Sequence, residues 1–305
     1  MRDIRECIVY EDDDICVCHK PSGVLTQSDR GFSQDMVSAL MTYERKKGVK
    51  APFIAPVNRL DRPVEGLVLY AKNSRSAAAL TGQITSGEVD KCYYAVVNIT
   101  GGNSMEDMQK KLHDREMTTL EDYLLKDSKT NMSKVVPENT QGAKKAVLEY
   151  QVLDMDTDGK RAFLKVKLHT GRHHQIRVQL ANAGLPILDD AKYSIVCDTK
   201  HGIVCDAKYS IVCDTKHGRV CDAKHGSVND IQDSAVSDTK CGGGDSSAGD
   251  SFATVKKNVA GKHSDNLALC SYRLVFTHPV TKKKLVFEIE PKGKSFMNFM
   301  EKEHE

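Results

Sequence analysis

Apolar and polar residues alternate with period two at Leu148, Tyr150 and Val152 against Glu149 and Gln151, and again at Leu164, Val166 and Leu168 against Lys165 and Lys167. Both patterns predict half-buried strands. Tyr272, Leu274, Phe276 and then Leu285, Phe287, Ile289 alternate in the same way across a turn-rich His278-Pro279-Val280-Thr281 and a lysine run, which predicts a hairpin. The apolar run Leu67 to Ala71 reads as a further strand. Helices are predicted over Ser74 to Ile84, where an alanine-rich face is followed by Gly87, and over His173 to Ala183, closed by Gly184 and Pro186. Strands outnumber helices and are not strictly interleaved with them, so the pattern favours an α+β fold with a largely antiparallel sheet over a doubly wound one.

This patterning breaks at one place. From Asp189 the chain runs DDAKYSIV, CDTKHGIV, CDAKYSIV, CDTKHGRV, CDAKHGSV, an eight-residue repeat with Cys197, Cys205, Cys213 and Cys221 in register, and then decays into GDSSAGDS. Each copy offers only one or two core-grade residues, such as Ile203 and Val204, so a weakly structured insertion or a small irregular solenoid is expected. The domain reading is therefore a discontinuous folded body, 1–193 and 267–305, interrupted by a repeat and low-complexity insertion at 194–266.

At 305 residues the chain is long enough to bury a sizeable core. No stretch approaches the ~18 apolar residues of a membrane span, and the N-terminus, MRDIRECIVYEDDD, turns acidic where a signal peptide would turn apolar. The expectation is a cytoplasmic chain with no membrane partner, and its ten cysteines, five of them between Cys197 and Cys241, are read as reduced thiols. Net charge is only +2, so a nucleic-acid partner would have to be held by a local patch.

Three segments place polar groups where packing does not require them. In Asn58-Arg59-Leu60-Asp61-Arg62-Pro63-Val64-Glu65-Gly66, Asp61 is a carboxylate flanked by two arginines at the mouth of a strand; it is either held ready for chemistry or part of a surface ion pair. Gly171-Arg172-His173-His174-Gln175-Ile176-Arg177, opening a predicted helix, suits a phosphate or a carboxylate. Adjacent histidines on a helix diverge, so one metal ion is not expected to use both His173 and His174. In Lys91-Cys92-Tyr93-Tyr94-Ala95-Val96-Val97 consecutive tyrosines on a strand face opposite ways, one toward the core and the other toward a cleft. A phosphate-binding glycine loop, a CxxC pair and an HExxH motif are all missing from the sequence.

NRLDRPVEGLVLYAK, KCYYAVV and TGRHHQIRVQL, in that order, together resemble the motifs of the RluA-type family of pseudouridine synthases. The opening IVYEDDDICVCHKPSGVLTQ, with its KP-x-G turn, and the later GLPILDDAKY and YRLVFTHPVTKKKL extend the resemblance to nearly the whole chain outside the repeat. It implies the α+β pseudouridine synthase fold, a mixed, mainly antiparallel sheet with flanking helices and a central active-site cleft. It further implies isomerisation of uridine within ribosomal or transfer RNA, with neither cofactor nor metal. By the same resemblance Asp61 is the catalytic aspartate, acting as nucleophile at C1′ or base at C2′, Tyr93 the active-site tyrosine, and Arg177 the arginine that pairs with the aspartate. Arg59, Arg62, Arg172 and His173 are the expected substrate-binding residues.

Three features depart from the family pattern, and the first is Asn58, which stands where many members carry His. Glu65 stands where a serine is frequent and would place a second carboxylate near Asp61, and the repeat begins at DDAKY, whose later copies resemble its amplification. Between Ala191 and Lys240 seven basic residues face seven acidic ones, so the repeat is not an electrostatic RNA clamp. The competing functional readings are an RNA-binding protein without activity and a metal-binding role for the repeat, in which His201, His217 and His225 follow Cys197, Cys213 and Cys221 by four residues. No S4-type domain precedes the KP-x-G turn, so substrate choice is expected to reside in the catalytic domain, with or without the insertion, and a monomer is the default expectation.

Overall fold

The computed structural model describes residues 3–28, 35–100, 105–193, 203–206, 211–214, 219–221 and 267–300. The chain divides into two compact units, Met1–Ser194 with Ser264–Glu305, and Ile195–His263. In the first unit the elements run β1 (Ile8–Glu11), β2 (Ile15–Lys20), α1 (Met36–Lys46), β3 (Ala55–Pro56), β4 (Glu65–Ala71), α2 (Ser74–Ser86), β5 (Asp90–Asn98), α3 (Met105–His113), β6 (Met117–Asp127), β7 (Met132–Val136), β8 (Lys144–Met155), β9 (Arg161–Leu168) and α4 (Gln175–Asn182). Three short strands of the second unit follow, β10 (Ile203–Asp206), β11 (Ile211–Asp214) and β12 (Arg219–Cys221). The first unit then resumes with β13 (Leu269–Thr277), β14 (Lys284–Glu288) and α5 (Lys294–Met300).

Eleven strands form one mixed sheet in the order β1-β2-β4-β13-β5-β9-β8-β6-β7, with β14 added to β13 and β3 to β4. Every strand pairing in it is antiparallel except β4 with β13, which meet in parallel at Glu65↔Cys270 and Gly66↔Ser271. At that seam Gly66 has φ +129°, and a Cβ added to it would stand 2.4 Å from the backbone nitrogen of Ser271. Only glycine allows the two backbones to approach so closely.

Burial follows the patterning. β8 alternates, with Ala146, Leu148, Tyr150 and Val152 buried, whereas all seven residues of β4 are buried because both faces of that central strand are covered. α2 is capped by the Asn73 side chain, which accepts from Ser76 N at 2.8 Å, and ends at Gly87 in the left-handed conformation. Tyr94 stacks on Tyr272 of β13 at a centroid distance of 3.7 Å, leaving its neighbour Tyr93 for the opposite face. α5 closes the core by setting Phe296 and Phe299 against Phe163. The cysteines described in the first unit, Cys7, Cys16, Cys18, Cys92 and Cys270, are buried and not joined in disulfides.

In the second unit, β10 to β12 pair antiparallel, Val204 opposite Cys213 and Val212 opposite Cys221, so three copies of the repeat form a meander rather than the stacked coils of a solenoid. The cysteine and histidine side chains of the repeat lie outside the described residues. Among the described residues no helix is long and apolar enough to cross a membrane.

Candidate active site

Asp61 lies on the loop between β3 and β4, and backbone hydrogen bonds fix that loop. Asn58 continues the pairing of β3 with β4 through its side chain, donating to Leu67 O (3.2 Å) and accepting from Leu69 N (2.8 Å). Thr26 Oγ1 donates to Leu60 O and accepts from Leu60 N, and Gly23 N donates to Arg62 O at 2.8 Å. Beneath the loop the fully buried Lys20 ammonium donates to the carbonyls of Val24 (2.7 Å), Pro21 (3.0 Å) and Arg62 (3.2 Å). Burial pushes Lys20 down to about 7, against the pull of the nearby Asp61 and Glu65 charges. Lys20 thus ties the KP-x-G turn to the Asp61 loop.

The opposing wall comes from the start of α4. Arg177 is buried and bridges two carboxylates: Nε and Nη2 donate to Asp190 at 2.8 and 2.7 Å, and Nη1 donates to Asp61 Oδ2 at 3.1 Å. The bidentate clamp on the fully buried Asp190 side chain fixes the plane of the guanidinium. The His174 Nε2 lies 3.4 Å from the same Asp61 oxygen. Tyr193 accepts from Ser133 N (2.8 Å), and its hydroxyl then donates to His174 Nδ1 (2.8 Å), which leaves the imidazole proton on Nε2, facing Asp61. Burial pushes His174 down to about 4, so the ring is neutral at physiological pH. Asp61 Oδ2 therefore accepts from Arg177 Nη1 and has His174 Nε2 3.4 Å away, while Oδ1 takes no hydrogen bond from any described residue.

The two walls enclose a cleft of about 430 Å³ lined by Arg59, Asp61, Tyr93, Arg172, His173 and Arg177, six of the seven residues singled out from the sequence. Arg62 is elsewhere: its Nε donates to Gly23 O at 2.9 Å and it does not line the cleft. Glu65 also points away, both amides of Lys292 and Gly293 donating to its Oε1 at 3.0 Å, so it adds no second carboxylate to the cleft. Lys91 and Lys126 complete a lining of five cations, with Arg59, Arg172 and Arg177, around one carboxylate. None of Arg59, Lys91 and Lys126 meets a carboxylate among the described residues, and burial lowers the Lys91 ammonium below its ordinary value. Tyr93 is 6% exposed, and burial raises its phenol above the usual range.

The helix begins two residues later than its sequence pattern indicates, because His174 adopts the left-handed conformation at φ 53°. That turn, in place of a helical one, stacks the His173 and His174 rings at 3.8 Å instead of sending them apart. His173 Nδ1 meets Ser133 Oγ at 2.9 Å and His174 Nδ1 meets the Tyr193 hydroxyl at 2.8 Å. Gln175 Oε1 accepts from Arg172 N and Thr170 Oγ1, both at 2.9 Å, so the first turn is closed by protein groups. Elsewhere Asp12, Asp14 and His278 converge, but Asp12 is occupied by Tyr10, His278 and the amides of Asp14 and Ile15. His174, Asp190 and Tyr193 are the site residues that sequence reasoning did not single out, although they lie within TGRHHQIRVQL and GLPILDDAKY, two of the segments that carry the family resemblance.

Comparison with known proteins is consistent with this arrangement. The family model for RNA pseudouridylate synthase matches residues 14–182. An uncharacterized RNA pseudouridine synthase of Aquifex aeolicus is 31% identical over 191 residues, covering 61% of this chain and 55% of the relative. A second, YlyB of Bacillus subtilis, is 32% identical and covers 61% and 57%. The chain thus spans little more than half the length of these relatives. Among solved structures, human RNA pseudouridylate synthase domain containing 4 superposes with a TM-score of 0.57 at 18% identity, over 95% of this chain and 90% of that one, a likeness of fold.

Proposed function

The chain belongs to the RNA pseudouridylate synthase family, and on that premise we propose that it isomerises uridine to pseudouridine within ribosomal or transfer RNA, with Asp61 as the catalytic group. The observation that carries this reading is the setting of one carboxylate: Asp61 lines a cleft with five cations, its Oδ2 accepts from Arg177 with His174 Nε2 3.4 Å away, and its Oδ1 takes no hydrogen bond from any described residue. Arg59, Lys91, Lys126 and Arg172 supply the local positive patch that the whole-chain charge of +2 does not, and they meet the phosphates of the strand. A paired uridine must first leave its stack, at a cost of a few kcal/mol, which favours uridines in loops.

With the ribose in the cleft, Asp61 Oδ1 acts on the sugar, as nucleophile at C1′ or base at C2′, and the N1–C1′ bond breaks. Arg177 and His174 hold the carboxylate in place as its charge is redistributed. The detached uracil turns, C5 bonds to C1′, and the C5 proton must leave. Tyr93 enters protonated, because burial raises its phenol. It gives that proton to N1 of the displaced ring and recovers one from C5, so the exchange leaves no net change. Nothing in this sequence requires a metal or a cofactor.

The test is a chemical map of pseudouridine in RNA from cells carrying the wild-type chain, Asp61→Ala, or neither. Defined positions gain the mark with wild type and not with Asp61→Ala, and these positions name the substrate. A map that does not respond to the folded wild-type chain overturns the reading and leaves RNA binding without turnover.

A further inference from the structure

A second cavity, of about 480 Å³, adjoins the cleft, and the mechanism above makes no use of it. Val57 and Arg59 line both spaces, so the cavity borders the cleft beside β3 and the approach to Asp61. Its walls are apolar, built from Met41 of α1, Pro52, Phe53 and Pro56. Phe53 leaves 43% of its surface exposed and also lines the neighbouring hollow beside the exposed Val49. A single exposed apolar residue is ordinary. Here the aromatic ring lies beside Arg59, which makes no hydrogen bond or ion pair with any described residue, and beside the exposed amide of Gln27.

Resting on the RNA reading of the cleft, we propose that this cavity receives the base of an unpaired nucleotide adjoining the target uridine on the same RNA strand. The base stacks on Phe53, Gln27 meets its polar edge, and Arg59 binds the phosphate between it and the target. Three observations select a nucleotide over a protein partner. The cavity shares Val57 and Arg59 with a cleft of five cations and one carboxylate, a guanidinium with no partner among the described residues marks the border, and the platform is a flat aromatic ring, which any nucleobase can cover. The site then reads the strand beside the target by stacking, which tolerates sequence, and by one side-chain amide, which discriminates among base edges.

The chain contains no tryptophan, so Phe53→Trp places a sole indole reporter on the platform. The full-length variant is titrated with a single-stranded oligouridylate of about a dozen nucleotides, enough to fill a site of ordinary size. The indole emission falls by about half or more, in step with binding followed by anisotropy of end-labelled RNA. An oligomer of equal length made of abasic ribose phosphates binds without quenching, and Val286→Trp, on exposed β14 outside both cavities, is not quenched by either. Phe53→Ala weakens oligouridylate binding about fivefold or more, as loss of one base–aromatic stack does. Binding by anisotropy without quenching of Phe53→Trp, or unchanged affinity of Phe53→Ala, overturns the proposal while leaving the cleft reading intact. Loss of self-association in Phe53→Ala at unchanged RNA affinity overturns it in favour of a protein interface. Failure of the wild-type chain to bind RNA at all overturns the cleft reading with it.

Discussion

On one wall of the cleft Asp61 is set by backbone groups and one lysine: Lys20 under three carbonyls, Thr26 on Leu60, Asn58 on the edge of β4. On the other, Arg177 is set by charge and rings, through the Asp190 carboxylate, the Tyr193 face 5.2 Å from its guanidinium carbon, and the neutral His174 stacked on His173. The first wall keeps its shape through many neutral bonds of modest individual worth. The second concentrates its stability in one buried ion pair, whose partners are costly to separate. Loss of one side chain should therefore damage the two walls unequally.

The sharpest break is Asp190→Ala, which strands Arg177, 5% exposed, beside Asp61 alone. Unfolding in denaturant should show a loss of about 3–5 kcal/mol, and pseudouridine formation should fall by roughly two orders of magnitude or more in the fraction that remains folded. Lys20→Met should cost less, about 2 kcal/mol by the same measurement, because three carbonyls lose their donor while the burial of a charge is relieved.

Titration separates the walls without mutation. Lys20 is lowered to about 7 in the folded chain, against about 10.4 unfolded, so between these values the unfolded state binds more protons and stability rises with pH by up to about 1.4 kcal/mol per unit. His174, at about 4 when folded and about 6.5 unfolded, gives the same sign in the acid range, and stability falls as pH drops from 6.5 toward 4. Urea melts across pH should show the alkaline rise vanish in Lys20→Met and the acid fall diminish in His174→Gln. If each variant flattens the other's range, the walls are not separable.

Tyr193→Phe removes the hydroxyl that accepts from Ser133 N and donates to His174, and should cost about 1 kcal/mol in melting experiments. Its turnover should drop about tenfold with little change in KM, because the RNA-facing cations are untouched. Arg62→Ala should do least, within about 0.5 kcal/mol and with nearly unchanged activity, since its Nε meets only the Gly23 carbonyl.

Strand alternation at Leu148 to Val152 and Leu164 to Leu168, the hairpin of β13 with β14, and α2 with its Gly87 terminus were all legible in the sequence, because each depends on local period and local turn chemistry. The meeting of Asp61, Tyr93 and Arg177 was legible only through the family resemblance; no spacing in the chain states that residues 61, 93 and 177 face one cleft. What escaped was the conformation of His174, an αL residue inside a helical pattern, and with it the stacking of two histidines. Asp190 and Tyr193 escaped for another reason: they are the first copy of a conspicuous repeat, and the repetition masked a buried ion pair that packing alone reveals. Burial of Lys20 was equally hidden, since a lysine before a proline reads as a surface turn.

The order of the central strands bears on how the chain is made. β13 lies between β4 and β5, yet it is translated after both and after the whole repeat. On a ribosome adding roughly 5–20 residues per second, the interval between Asn98 and Leu269 lasts on the order of ten to thirty seconds. Throughout it the nascent chain carries two strand edges that can find only each other or a neighbour's edge. Assembly of the cleft is thereby deferred until β13 has emerged, and lengthening or shortening the repeat adjusts that waiting time eight residues at a step.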